Sequence, residues 1–402
     1  MSNWKDVTIG DHIDLISGLA FKSADFLAEQ IEGSLPVIKI KNVANGDVNF
    51  NDVVYHKFDT SLEKFVLSKG DILIAMTGNH PHAATQVVGD VSKYKLSEKA
   101  LLNQRVGKLV PKGKTDLNFI YYLFKSEDVR FNLANKSSGS ANQANISKGD
   151  ILGLELKLPN PTEQAAIASI LTSIDDKIDL LHNQNATLEK MAETLFRQWF
   201  IEEAKEDWAT GKVSDLIKIL SGFAFKSSSF VESGKYRLIT IKGVQDGYLE
   251  LNNADRIEEL PDRLPEFCKL EIGDILLSLT GNVGRCCLVD TKDLLLNQRV
   301  AKLEPMKERD RAYTYFLFRL PQIKQLLEEM GKGTAQSNLS PIETSNMELI
   351  IPDESRLEEF SAIATPWLNK LLFNKKSIQT LTQLRDSLLP KLMSGEVSVD
   401  IK

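Results

Sequence analysis

Cysteine and histidine are scarce in this chain, with three of the first and five of the second among 402 residues. Cys268 stands alone and Cys286 adjoins Cys287, so there is no C-x-x-C spacing, and the odd count excludes a disulfide framework. The histidines, at 12, 56, 80, 82 and 182, share no ligand spacing on a recognisable helix, so no metal is expected. His80-Pro81-His82 is the only pair and reads as loop surface. No apolar run approaches a membrane span, and residues 1–10 lack the charged start and apolar centre of a signal peptide. The expectation is a soluble, cytoplasmic chain with no membrane partner.

Catalytic signatures are missing as well. Gly113-Lys114-Thr115 has the end of a phosphate loop, but Gly107 precedes it by five intervening residues rather than four, without strand-to-helix context. There is no G-x-S-x-G elbow for a nucleophilic serine. Asn160-Pro161 continues with Thr162, which breaks the Asn-Pro-Pro-aromatic pattern of adenine methyltransferases. Neither an enzyme activity nor a cofactor is expected.

Basic excess, the usual footprint of a nucleic-acid binder, is also absent, since the net charge is −6. The deficit is local. Residues 162–207 carry ten acids against four bases, whereas residues 1–161 carry eighteen acids against nineteen bases. The larger segments are near neutral, which permits a local basic face without advertising one.

What the chain does have is a duplication. SGLAFKSADF at 17–26 returns as SGFAFKSSSF at 221–230, GDILIAMTGN at 70–79 as GDILLSLTGN at 273–282, and LLNQRVGKL at 101–109 as LLNQRVAKL at 295–303. WKDVTIGD at 4–11 answers WATGKVSD at 208–215, and SGSANQANIS at 138–147 resembles KGTAQSNLS at 332–340. Ordered matches of this kind mark two copies of one unit.

Between and after the copies lie two long helical segments. Asn160 is placed to cap the first, Pro161 suits its first turn, and Glu163 stands three residues after the cap. From Ile167 the positions Leu171, Ile174, Ile178, Leu181, Asn185, Leu188, Ala192, Leu195 and Trp199 alternate steps of four and three, the seam of a coiled coil. An offset of 193 residues carries the same reading to Phe360, Ala364, Trp367, Leu371, Asn374, Ile378, Leu381, Arg385, Leu388 and Leu392. Asp353 takes the capping place, Pro390 is expected to kink the last turns, and Gly395 to end them. The acidic run Glu202 to Asp207 reads as a solvated linker.

The organisation is therefore residues 1–158, a helix with linker at 159–207, residues 208–352, and a second helix at 353–402. Within the first large segment PVIKIKNV, KGDILIAMTG, RVGKLV and LELKLP read as short strands and Leu117 to Leu133 as a helix, giving an α/β (α+β) domain.

This doubled pattern of SGLAFKS, GDILIAMTGN, LLNQRV, a Gly-Ser-Asn-Gln loop and LPNPTEQAAIASILTSIDDKI resembles the specificity subunit of type I restriction-modification systems over essentially the whole chain. Arg356 and Leu357 depart from it, standing where Glu163 and Gln164 would recur. The resemblance implies a non-catalytic reader of double-stranded DNA. Two tandem target recognition domains would each read half of a bipartite sequence. The long helices would set the spacer and dock two methyltransferase (modification) subunits, and endonuclease-translocase (restriction) subunits would join. A protein-binding scaffold without DNA and a self-sufficient methyltransferase or nuclease are the competing readings; salt-dependent binding of duplex DNA by the reconstituted complex would remove the first, and the missing motifs argue against the second.

Asn and Gln can pair with adenine edges and Arg with guanine, so Asn103-Gln104-Arg105 and Asn297-Gln298-Arg299 have suitable types. Both copies carry the same triplet, however, which favours phosphate positioning or a structural turn over base reading. Base readers are expected where the copies differ beside shared framework, and Gln86 and Arg285 follow the shared Thr-Gly-Asn. A variable surface loop is the equal alternative at those positions. Lys136, Ser140, Asn142 and Gln143 in the first copy, and Lys332, Thr334 and Gln336 in the second, could hold phosphates, with loop capping as the alternative.

Equivalent-position parallel pairing of the helices would set Asn185 against Ile378 and Asn374 against Leu181. Antiparallel pairing with Asn185 opposite Asn374 gives each seam residue a seam partner and leaves only Ile174 against Arg385, which should snorkel outward. Thr162 to Phe200, 39 residues, would make a rod ~58 Å long, enough for two readers ~34 Å apart, one DNA turn.

Overall fold

The computed structural model describes residues 4–43, 47–78, 87–140, 143–331 and 338–399. Contacts divide the chain into two units, residues 1–176 with 382–402, and residues 177–381.

The first unit is organised around Ile72–Ala75, a strand with all four side chains buried. Alternate residues of a strand point to opposite faces, and here Ile72 and Ile74 enter one apolar cluster while Leu73 and Ala75 enter another. Such a two-faced strand belongs in the interior of a sheet. Its antiparallel sheet runs Ile13–Ser17, Val106–Pro111, Ile72–Ala75, Val91–Lys93. A second sheet runs Val54–Lys57, Ser34–Ile38, Ala100–Leu102, Val66–Leu67, with Ser34–Ile38 parallel to Ala100–Leu102. Lys5–Thr8 pairs antiparallel with Glu155–Leu158, so the start of the chain is stitched to the strand that feeds the long helix.

The second unit repeats this plan. Ile217–Ser221, Val300–Pro305, Ile275–Ser278 and Cys286–Leu288 form one antiparallel sheet. Arg256–Ile257, Tyr236–Ile239, Leu294–Leu296 and Lys269–Leu270 form the other, again with one parallel pair. Ala209–Lys212 pairs with Glu348–Ile351. The two-faced strand recurs, Ile275 and Leu277 facing one core and Leu276 the other. Each is launched from a glycine in the left-handed region, Gly70 at φ +100° and Gly273 at φ +97°. All four strands read from the first copy are present, in mixed and mostly antiparallel sheets.

The segment expected as one helix from Leu117 to Leu133 is two, Leu117–Lys125 and Glu127–Lys136. Ser126, at ψ 143°, breaks it: its hydroxyl donates to the Leu123 carbonyl at 2.6 Å, and Glu127 and Asp128 open a new first turn.

The first long helix is Pro161–Arg197, followed by a wider π-helical turn over Gln198–Glu202. Asn160 Oδ1 accepts from the Thr162 and Glu163 amides at 3.0 and 3.1 Å. Glu163 does not complete a capping box; its carboxylate accepts from Trp4 Nε1 at 3.2 Å. The second long helix, Glu354–Met393, runs through Pro366 and on past Pro390, so the proline expected to disturb its end lies within it. Pro390 is exposed, where the carbonyl it cannot serve is open to water. Gly395, at φ +70°, follows the end.

Where Glu163 would recur, Arg356 lies over the Trp199 ring, 4.2 Å from its centroid, and pairs with Glu203 at 2.6 Å. Glu203 and Lys205, which pairs with Asp353, tie the acidic linker down through ion pairs.

The helices run antiparallel. In the second unit Asn374 Nδ2 donates to Asn185 Oδ1 at 2.9 Å, and the Trp199 and Phe360 rings meet at 6.4 Å. In the first unit Leu171 shares a core with Leu388 and Leu392. Arg385 pairs with Asp175 at 3.0 Å rather than simply reaching for solvent.

Asn374 is fully buried and Asn185 nearly so, yet Asn374 Oδ1 has no partner among the described residues. Incomplete satisfaction costs stability, and an asparagine pair on a seam is a device that can fix register. Replacing Asn374 by Leu strands the Asn185 amide with only the Leu371 carbonyl at 3.5 Å. A loss of about 1–3 kcal/mol is expected in chemical denaturation. Replacing both asparagines by leucine should recover it. A double variant as unstable as the single one would show that the loss comes from packing rather than from the orphaned amide.

Candidate nucleic-acid interface

In each copy the repeated motifs converge on one turn. Asn103 donates its amide to the Ile38 carbonyl at 3.1 Å and accepts from the Val106 amide at 3.0 Å. Asn297 does the same with Ile239 and Val300, both at 3.2 Å. A Cβ on Gly18 would stand 2.0 Å from the Asn103 carbonyl oxygen, and one on Gly222 2.2 Å from that of Asn297. The glycine of the Ser-Gly-x-Ala-Phe-Lys-Ser motif is therefore required by the Asn-Gln-Arg turn, which explains why both motifs recur together. Gln104, Arg105, Gln298 and Arg299 are exposed on the turn, with Arg299 at φ +71°.

Beside this turn lies the threonine of the shared Thr-Gly-Asn, Thr77 in one copy and Thr280 in the other. Thr77 Oγ1 donates to Asn145 Oδ1 at 2.7 Å, and Arg105 Nη1 donates to the same oxygen at 3.2 Å. In the second copy Thr280 Oγ1 donates to Asn338 Oδ1 at 2.8 Å. Each threonine thus ties the Gly-Ser-Asn-Gln loop back to the sheet. Asn145 and Asn338 are framework residues that the residue types alone did not single out.

Arg285 is half-buried between Gly284, at φ +82°, and the strand Cys286–Leu288. Its Nη1 donates to Gln245 Oε1. Asn282, with its amide oxygen turned to the guanidinium, accepts from Nη1 and Nη2 at 3.2 and 3.0 Å. Gln245 was not among the expected site residues, although a signal for it exists. Ile40-Lys41-Asn42-Val43 recurs as Ile241-Lys242-Gly243-Val244, and the next residue changes from Ala44 to Gln245.

Lys136 is exposed in the last turn of its helix, and Ser140 and Gln143 are register partners in the backbone pairing of Ser138–Ser140 with Gln143–Asn145. Gln86, Asn142, Lys332, Thr334 and Gln336, like the pair His80 and His82, lie outside the described residues.

The thiols beside Arg285 are inert. Burial pushes the Cys286 thiol up to about 12, and burial likewise holds that of Cys287 well above its usual value. Both stay protonated and unreactive at neutral pH. Among the described residues no group of His, Cys, Asp and Glu could hold a metal ion, and no helix is long and apolar enough to cross a membrane.

Residues 1–190 and 205–383 match the family described as type I restriction modification DNA specificity domain. The type I restriction enzyme MjaIX specificity subunit of Methanocaldococcus jannaschii is 25% identical, over 93% of this chain and 92% of that one. The HindI specificity subunit of Haemophilus influenzae is 22% identical, over 99% and 100%. The crystal structure of the type I restriction-modification S subunit from M. genitalium has the same fold, with a TM-score of 0.64 at 19% identity, covering 100% of this chain and 97% of that one. With two copies of one framework, paired long helices and a family match over nearly all of its length, the chain belongs to the type I restriction-modification DNA specificity family.

Proposed function

We propose that this chain is the non-catalytic DNA reader of a type I restriction-modification complex, in which residues 1–158 and 208–352 each recognise half of a bipartite duplex target. The observation that carries the reading is the division of labour within each copy. Shared residues hold the framework, Gly18 and Gly222 against the Asn-Gln-Arg turns and Thr77 and Thr280 on Asn145 and Asn338, while the residues that follow the shared Thr-Gly-Asn in sequence differ between the copies. Two copies with one framework and unlike edges suit two unlike half-sites.

In this reading Gln104, Arg105, Gln298, Arg299 and Lys136 position phosphates, and Arg285 reads a base. The long helices hold the spacer and receive two modification subunits, with restriction subunits joining that core. Methylation mapping of DNA from cells expressing the chain with its modification subunits tests this. A two-part motif with a fixed unread spacer is expected, and methylation without such a motif would overturn the reading.

For Arg285→Ala a loss of about 1–3 kcal/mol of discrimination is expected at one base position of one half-site, the value of a bidentate guanine contact. Competition among duplexes altered one position at a time measures it. Equal weakening on every sequence would instead place Arg285 on phosphate.

A further inference from the structure

Arg285 does not stand alone. A guanidinium has five N–H donors, and the contacts described above use three of them. Asn282 takes one hydrogen from each Nη, on the edge between them, and Gln245 takes the other hydrogen of Nη1. Among the described residues this leaves Nε–H with the outer N–H of Nη2. Those two donors are parallel, on a single edge, which is the geometry that pairs with O6 and N7 of guanine.

Gln245 is itself committed at both ends. Its Nε2 donates to the Lys242 carbonyl at 2.8 Å while Oε1 faces Arg285. Its backbone is equally fixed: the Gln245 amide donates to the Tyr248 carbonyl at 3.1 Å, and the Gly247 amide to the Cys286 carbonyl at 2.9 Å, next to Arg285 in the chain. Lys375 of the second long helix donates to the Gly247 carbonyl at 2.8 Å, and Lys324 pairs with Asp246. A side chain held this way has one donor and one acceptor already engaged, and it can hold the neighbouring guanidinium in place.

The sequence carries the same message. Aligned on the shared framework, Gln245 corresponds to Ala44 and Arg285 to His82, so both members of the pair change between the two copies.

We infer that Gln245 is a positioning residue for Arg285, and that specificity at this point of the second half-site is set by the Gln245–Arg285 pair, which presents one guanidinium edge to a guanine. The inference rests on the reading of Arg285 as a base reader. Fixing the guanidinium before DNA arrives removes the rotamer entropy that binding would otherwise spend.

The test uses the full chain with its modification subunits and, as probe, the mapped duplex with each base pair of both half-sites replaced in turn. Arg285→Ala should lower selectivity at one position roughly five- to a hundredfold. Gln245→Ala should lower it at that same position by roughly two- to tenfold, the value of one hydrogen bond. The double variant should be no worse than Arg285→Ala alone, because the pair acts as a unit. Gln245→Glu keeps an acceptor for the guanidinium and should retain more selectivity than Gln245→Ala. Selectivity in the first half-site should not move, which separates positioning from a general loss of structure.

Additive losses, unchanged selectivity in Gln245→Ala, or equal losses in the alanine and glutamate variants would each overturn the pair while leaving Arg285 as a reader. No position-specific loss in Arg285→Ala would remove the reader itself and the pair with it.

Discussion

Exchange of residues 1–158 for the matching segment of another family member is expected to replace one half of the recognised sequence and leave the other half unchanged. The segment closes on itself, since its first strand, Lys5–Thr8, pairs with its last, Glu155–Leu158. Among the described residues, its polar attachments to the following helix include three long-range hydrogen bonds. Trp4 Nε1 reaches Glu163 at 3.2 Å, the Asp116 amide donates to Gln164 Oε1 at 3.1 Å, and the Tyr122 hydroxyl donates to Asp175 Oδ2 at 2.7 Å. Gln164 is buried there, so a donor segment that cannot offer it a partner would leave an amide group unsatisfied, at about 1–3 kcal/mol. A donor that keeps an amide at that place and a tyrosine at 122 should therefore fold and read independently. Methylation mapping of the chimaera is the measurement. If both half-sites changed together, the picture of two independent readers would be wrong.

A comparably large effect is expected from adding one heptad to each long helix, at Ile178 in the first and at Leu381 in the second. These positions are chosen from the contacts. Asp175 and Arg385 lie on one side of the two insertions and Asn185 and Asn374 on the other, so both anchoring pairs keep their partners. Seven residues are two turns of a coiled-coil helix, which preserves the seam and adds about 10 Å. The unread spacer should lengthen while both half-sites stay the same. Insertion into one helix alone leaves seven residues unmatched on the seam, and loss of stability is expected instead. A mapped spacer of unaltered length after the double insertion would show that the helices do not act as a ruler.

Much of this was legible in the chain itself, for a physical reason: repeats and periodicities are local properties of a sequence. The duplication announces two equivalent units because the same residues meet the same packing problem twice. The three–four alternation of the helices announces a seam because a helix advances 3.6 residues per turn, and the single asparagine on each seam points to one antiparallel register because a buried amide needs an amide opposite. Strands such as Ile72–Ala75 announce themselves as short apolar runs.

Other features were decided only in three dimensions. Ser126 splits a helix that the apolar pattern runs together, because its hydroxyl competes for a carbonyl that the helix would otherwise use. Glu163 sits in the third position of a capping box and is taken by Trp4, 159 residues away. Arg356, a departure from the repeat, proves to stack on Trp199. Arg385, the poor match on its seam, finds Asp175 one residue off the seam. Gln245 and Arg285 lie 40 residues apart with nothing periodic between them. The sequence by itself determined the two copies, the two helices and their register, all of which follow from patterns within a segment. Only the tertiary structure decided which polar side chain meets which, because a hydrogen bond between distant segments depends on where two backbones bring their side chains, and no local pattern encodes that distance.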